Sequence, residues 1–141
     1  MIYLDASVLF SLYCPDSNSM SATSLIAASK SPLLLSTLCE FETVNAFSLA
    51  IFRNALTDRE ALQARLKLER NIDAGAYQVR TLPDTAFQRA RTLATRLTST
   101  IGVRAADLLH IAIALELGAK SLYTFDLRQR TAALSVGLQV N

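Results

Sequence analysis

The chain has 141 residues, a length that suits one domain with a buried core of its own. Hydrophobic residues make up 51% of it and the mean hydropathy is +0.28, which points to a sheet covered on both faces or to an apolar patch used for association. The longest charge-free stretch, Ser17 to Ser29, is too short to cross a bilayer, and no basic segment precedes an apolar core at the N-terminus, so a cytoplasmic location is expected. A net charge of +2 says little about partners.

Met1 to Leu4 reads as a short buried strand, continuous, apolar and closed by the acid Asp5. Ser7 to Tyr13 predicts a short helix stopped near Pro15, and Ser17 to Lys30 a second one. Ser31-Pro32 breaks it, and Leu33-Leu34-Leu35 reads as another buried strand. From Leu38 to Asn54, Phe41, Val44, Phe47, Ile51 and Phe52 recur at helical spacing. Thr57 followed by Glu60 is a capping-box pattern, and the helix it opens should run to about Asp73 with Leu62, Leu66 and Ile72 on its inner side. Gly75 ends that helix and Tyr77 to Leu82 alternates like a strand. Thr85 to about Thr98 predicts a helix with Phe87, Ala90, Leu93, Ala94 and Leu97 on one face. Asp107 to Leu117 is an apolar helix with Gly118 placed to end it. Ser121 to Phe125 reads as a strand, Arg128 to Ser135 as a helix and Gly137 to Val140 as a last strand.

Strands alternating with helices imply parallel βαβ units, and hence a three-layer α/β/α sandwich with a central, mainly parallel sheet. With three Pro, four Gly and no low-complexity stretch, residues 1–141 read as a single domain. Ligands of such sheets sit beyond the carboxyl ends of the strands. Asp5 and Asp126 fall at two of those ends, and Asp107 begins an apolar helix.

An acid is also expected from the helix after Leu38, but Glu40 and Glu42 differ by about 200° around it and cannot both face one site. Convergent carboxylates suit a hard divalent cation such as Mg²⁺, and such a set repels itself without one. It points to magnesium- or manganese-dependent cleavage of a phosphodiester. Asp5, Asp107 and Asp126 can equally be read as helix caps. Cys14 and Cys39, each in apolar sequence, read as buried free thiols, and they are too few and too distant for a zinc site. His110 reads as a hydrogen-bonded core residue, and the Arg59, Arg65 and Arg70 series as a solvated helix face.

At these residues the sequence resembles the PIN-domain family, and within it the VapC-type toxins of toxin–antitoxin pairs. Ile2-Tyr3-Leu4-Asp5-Ala6-Ser7 is similar to the opening motif, although many relatives carry Asn where Ser7 stands. Ser36, Leu38, Glu42, Asn45 and Ala46 resemble the second motif, which selects Glu42 over Glu40. Arg104 to Ala112 resembles the third, around Asp107, and Leu122 to Asp126 the fourth, with Thr124 part of the pattern.

The resemblance implies a PIN-like fold and an endoribonuclease dependent on Mg²⁺ (or Mn²⁺). Asp5, Glu42, Asp107 and Asp126 would be its metal-holding catalytic acids, and Thr124 and Ser7 would position a carboxylate or water. It also implies structured RNA such as tRNA or rRNA as substrate, a cognate antitoxin as partner, and a homodimer. Arg104 and Arg128, adjacent to two of the acids, are expected to meet RNA phosphates at the cleft rim.

Three rival readings remain beside it. A non-catalytic PIN-like module that binds an antitoxin or RNA has no need of a complete acidic quartet. A phosphoacceptor receiver domain requires an acidic pair after the first strand and a late Lys at a strand end, whereas Asp5 stands alone and Lys120 precedes its strand. A haloacid-dehalogenase-type phosphatase requires an Asp where Ser7 stands.

Overall fold

Five short strands form one parallel sheet: β1 (Ile2–Leu4), β2 (Leu33–Ser36), β3 (Gln78–Arg80), β4 (Ser121–Tyr123) and β5 (Gln139–Val140), in the order β3-β2-β1-β4-β5. The computed structural model describes residues 1–141. Seven helices connect and cover the strands: α1 (Ala6–Tyr13), α2 (Ser19–Ala28), α3 (Thr37–Phe52), α4 (Asp58–Asp73), α5 (Ala86–Ile101), α6 (Ala105–Glu116) and α7 (Leu127–Ser135). From β1 the chain moves outward to β2 and β3, then returns to the other side of β1 for β4 and β5. The strand order therefore reverses between β1 and β4, and the crevice beyond their carboxyl ends is where such sheets bind ligands.

A parallel sheet must be covered on both faces, and alternation along the strands supplies two separate cores. Ile2, Leu4 and Leu35 pack with Leu9 of α1, Cys39 and Phe47 of α3, and Ala61, Ala64 and Leu68 of α4. Tyr3, Leu34 and Leu122 face the other way, onto Leu93 and Leu97 of α5, Leu108 and Ile111 of α6, and Ala132 and Ala133 of α7. Leu4, Ile111 and Leu122 are fully buried, and each such side chain contributes about 1.5–3 kcal/mol. This is the three-layer α/β/α sandwich that the alternation of elements predicts. No helix is long and apolar enough to cross a membrane.

Local signals place the elements well. The Thr57–Glu60 capping box forms at the start of α4, with the Glu60 carboxylate accepting from the Thr57 N–H at 2.8 Å. Gly102, at φ 70°, adopts the left-handed conformation that ends α5 and turns the chain directly into α6.

Four expectations are adjusted. On α5 the buried contact is made by Ala86, Leu93 and Leu97, while Phe87 is exposed. On α3 the inner face carries Cys39, Thr43, Phe47 and Ala50, while Phe41 and Phe52 are 67% and 83% exposed. On α4 the close contact is made by Ala61, Ala64 and Leu68, and small residues at the contact bring the helix near. Leu62 and Leu66, on the neighbouring stripe, turn outward. Finally, β4 stops at Tyr123 rather than Phe125. Side chains intercept the next two backbone donors, Thr124 N–H bonding to Asn141 Oδ1 at 2.8 Å and Phe125 N–H to Ser7 Oγ at 3.1 Å.

Candidate metal centre

Asp5 follows β1 and caps α1. Its Oδ2 accepts from Ser7 N–H at 3.1 Å, Ser7 Oγ at 2.7 Å and Thr124 Oγ1 at 3.4 Å, while Oδ1 accepts from Gln129 Nε2 at 3.3 Å. Asp126 follows β4 and caps α7, its Oδ1 accepting from the N–H groups of Arg128 and Gln129 at 2.9 Å each. Thr124 is fully buried between the two acids, and its Oγ1 also accepts from Asp126 N–H at 3.0 Å. The N-terminal ends of α1 and α7 thus carry their positive dipole ends toward the same crevice, which favours negative charge there. The cap reading holds for both residues, and capping leaves each carboxylate partly free to face the crevice.

Glu42 comes from the second turn of α3. Glu42 lines the cleft and Glu40 does not. Its Oε2 lies 2.6 Å from Nε2 of His110, which is 1% exposed and also 3.7 Å from Asp5 Oδ1. The other ring nitrogen of His110 is 2.7 Å from the Tyr3 hydroxyl, itself 2.6 Å from Ser36 Oγ, and Ser36 N-caps α3 by accepting from Cys39 N–H. A closed polar chain therefore runs from the start of α3, through the core, back to a carboxylate on the same helix. Burial lowers the pKa of His110, but the hydrogen bond it donates to Glu42 and the charges of Asp5, Glu42 and Asp107 outweigh it, so the net shift is upward. Burial and then Cys39 hold the Tyr3 phenol well above its ordinary range, so it remains a hydrogen-bond donor.

Asp107 stands in the first turn of α6 and is 7% exposed. Its carboxylate accepts from the Arg104 side chain twice, Nε to Oδ2 at 2.9 Å and Nη2 to Oδ1 at 3.3 Å, and from the Arg104 backbone N–H at 3.3 Å. The same Nη2 reaches Asp126 Oδ2 at 3.2 Å. Arg104 thus stands at the exposed mouth of the cleft with one edge of its guanidinium turned onto two acids. Arg128 turns to the Gly102 carbonyl at 3.2 Å.

Asp5, Glu42, Asp107 and Asp126 line one cleft of about 800 Å³, together with Ser7, Arg53, Arg104 and apolar side chains from α1 and α3. The donor set fits a divalent ion. One oxygen each from Asp5 and Glu42 and one nitrogen of His110 lie within 4.8 Å of one another, and carboxylates of this kind suit Mg²⁺ or Mn²⁺ with water completing the shell. The buried Gln129 Oε1, beside Asp5, has no hydrogen-bond partner within the chain and is an acceptor in reserve.

At the centre the sequence-based reading misses Gln129 and the partner of His110. His110 is the buried, hydrogen-bonded residue that was expected, yet its partner is the site acid Glu42. Its spacing of three from Asp107 puts both on the inner side of α6. Gln129 is fully buried although polar, and its spacing of three and four from Ala132 and Ala133 on α7 is the signal that it faces inward.

The reversal of strand order, with acids gathered at its carboxyl edge, defines an α/β protein whose site lies between β1 and β4. The chain belongs to the PIN domain family, whose model matches residues 2–134. No curated protein matches it by sequence. Among solved structures it is similar to VapC20 of Mycobacterium tuberculosis, described as a sarcin-ricin loop cleaving toxin, with 20% identity over 94% of this chain and 95% of that one and a TM-score of 0.71. It is also similar to a chain of FitAcB from Neisseria gonorrhoeae (19% identity, 99% and 96% covered, TM-score 0.72). A third is VapBC-1 of nontypeable Haemophilus influenzae (17% identity, 100% and 97% covered, TM-score 0.65). At these identities the likeness is one of fold.

Proposed function

We propose that the chain is a Mg²⁺- or Mn²⁺-dependent endoribonuclease, the toxin of a type II toxin–antitoxin module, cutting structured RNA such as tRNA or rRNA. The observation that carries this reading is the convergence of Asp5, Glu42, Asp107 and Asp126 on one cleft of a PIN fold. The four acids would hold the metal. A divalent ion there supplies a Lewis acid and lowers the pKa of bound water for attack on a phosphodiester. Ser7, Thr124 and Gln129 orient Asp5, and His110 orients Glu42, so that the carboxylates are fixed before substrate arrives.

The neighbouring toxin described as cleaving the sarcin-ricin loop supports an RNA substrate, and the VapBC and FitAB assemblies support a cognate antitoxin as partner. Phe41, Leu49 and Phe52, exposed along α3 beside the cleft, favour such association and a homodimer.

The test is incubation of a tRNA and ribosomal RNA pool with Mg²⁺ or Mn²⁺, comparing wild type, Asp5→Asn and an EDTA control. Discrete cuts with 5′-phosphate and 3′-hydroxyl ends, lost in both controls, are expected. Cutting that survives EDTA and Asp5→Asn alike would overturn the reading.

A further inference from the structure

The four acids are not equivalent. Asp5 and Glu42 converge with His110 into one compact group of potential ligand atoms. Asp107 and Asp126 are instead spanned by a cation of the chain itself. Arg104 Nε and Nη2 make three contacts with their carboxylates, at 2.9, 3.3 and 3.2 Å. A guanidinium is planar, always charged and carries five donors. Three of those five are used on the two acids, and Nη1, bearing the other two, makes no hydrogen bond within the chain. With its side chain 71% exposed, Arg104 sits at the open mouth of the cleft, where a phosphate oxygen would approach.

We infer that Arg104 takes the place of a second metal ion: the chain binds a single divalent cation on the Asp5–Glu42 side, and the guanidinium supplies the other positive charge between Asp107 and Asp126. This rests on the metal-nuclease reading above and narrows its metal holders from four acids to the Asp5–Glu42 side. Two like-charged acids brought together require a counter-charge, and a fork that bonds both meets that requirement without an ion from solution. A cation entering between Asp107 and Asp126 would have to break all three contacts, whereas one entering beside Glu42 breaks none of them. The free Nη1 then does for a phosphate what a second ion would do, drawing off charge as the phosphodiester is attacked.

Binding of Mn²⁺, followed by the loss of the free-ion electron paramagnetic resonance signal and by calorimetry, tests this without relying on catalysis. Wild type should take up one ion per chain and Arg104→Ala two, the second absent from the double variant Arg104→Ala/Asp126→Asn. Because the Arg104 side chain is mostly exposed, the alanine variant is expected to keep the wild-type circular dichroism spectrum. One ion in both wild type and Arg104→Ala, or two in wild type, overturns the inference and leaves the nuclease reading intact. No ion bound by wild type at millimolar Mn²⁺ overturns the metal-nuclease reading itself, and this inference with it.

Discussion

Glu42 and His110 meet at 2.6 Å from helices on opposite faces of the sheet, α3 in one core and α6 in the other. The contact passes over the carboxyl edge of the strands and ties the two helical layers together at the crevice. It also fixes Glu42, the carboxylate that helical spacing alone could not choose over Glu40 and that the family resemblance selects. Replacing His110 with Leu should lower Mn²⁺ affinity about 10–100-fold, the usual effect of losing a hydrogen-bond partner of a ligand. His110→Gln, which keeps a donor in reach, should recover part of it. Calorimetric titration of the three proteins decides the matter, and equal affinities would show that the ring does not position Glu42.

Tyr3 is the inner relay of that chain, with its hydroxyl between His110 and Ser36 and no exposure to solvent. Tyr3→Phe keeps the ring and its packing but strips His110 Nδ1 and Ser36 Oγ of a partner. Leaving such groups unsatisfied should cost about 1–3 kcal/mol in urea denaturation. A midpoint identical to wild type would mean that the relay contributes nothing to stability.

Asp126 allows its capping role to be separated from its proposed chemistry. Asn is as good a helix cap as Asp, so Asp126→Asn should leave stability nearly unchanged, whereas Asp126→Ala should lose about 1 kcal/mol. The contact with Arg104 is largely exposed and adds little to that difference. RNA cleavage should be abolished in both variants. Full cleavage by Asp126→Asn would reduce this residue to a cap.

Alkaline pH should act through the thiols. Burial, then the nearby Asp16 and Glu60 charges, push Cys14 up to about 11 from its ordinary value of 9.0. A raised folded-state value means that its contribution to stability is complete below pH 9 and is lost as pH rises through 11. Cys14→Ala should therefore show a shallower fall in thermal midpoint between pH 8 and pH 11 than wild type. Cys39, also raised by burial and then Asp5, keeps some of that slope in both proteins. Parallel melting curves across this range would show that Cys14 does not titrate as described.

The sandwich was legible because it follows from local rules: apolar runs too short for helices, capping and stop signals, and alternation of the two element types. The positions of Asp5 and Asp126 beyond the carboxyl ends of β1 and β4 were equally legible, although β4 ends two residues before its predicted end. Facing direction was harder. Phe41, Phe52, Leu62 and Leu66 share helical spacing with buried neighbours, but which stripe turns inward depends on how closely a helix approaches, and alanine sets that distance on α4. The reach of Arg104 to Asp126 and the His110–Glu42 pair are contacts across 22 and 68 residues respectively, and no local pattern encodes them.

The placement of β1 has a consequence for the newly made chain. Asp5 is made more than a hundred residues before Tyr123, Thr124 and Gln129, which hold its backbone and carboxylate. Until β4 slides in beside β1, one wall of the crevice does not exist. The crevice is therefore complete only after synthesis has passed α7, whatever chemistry it carries.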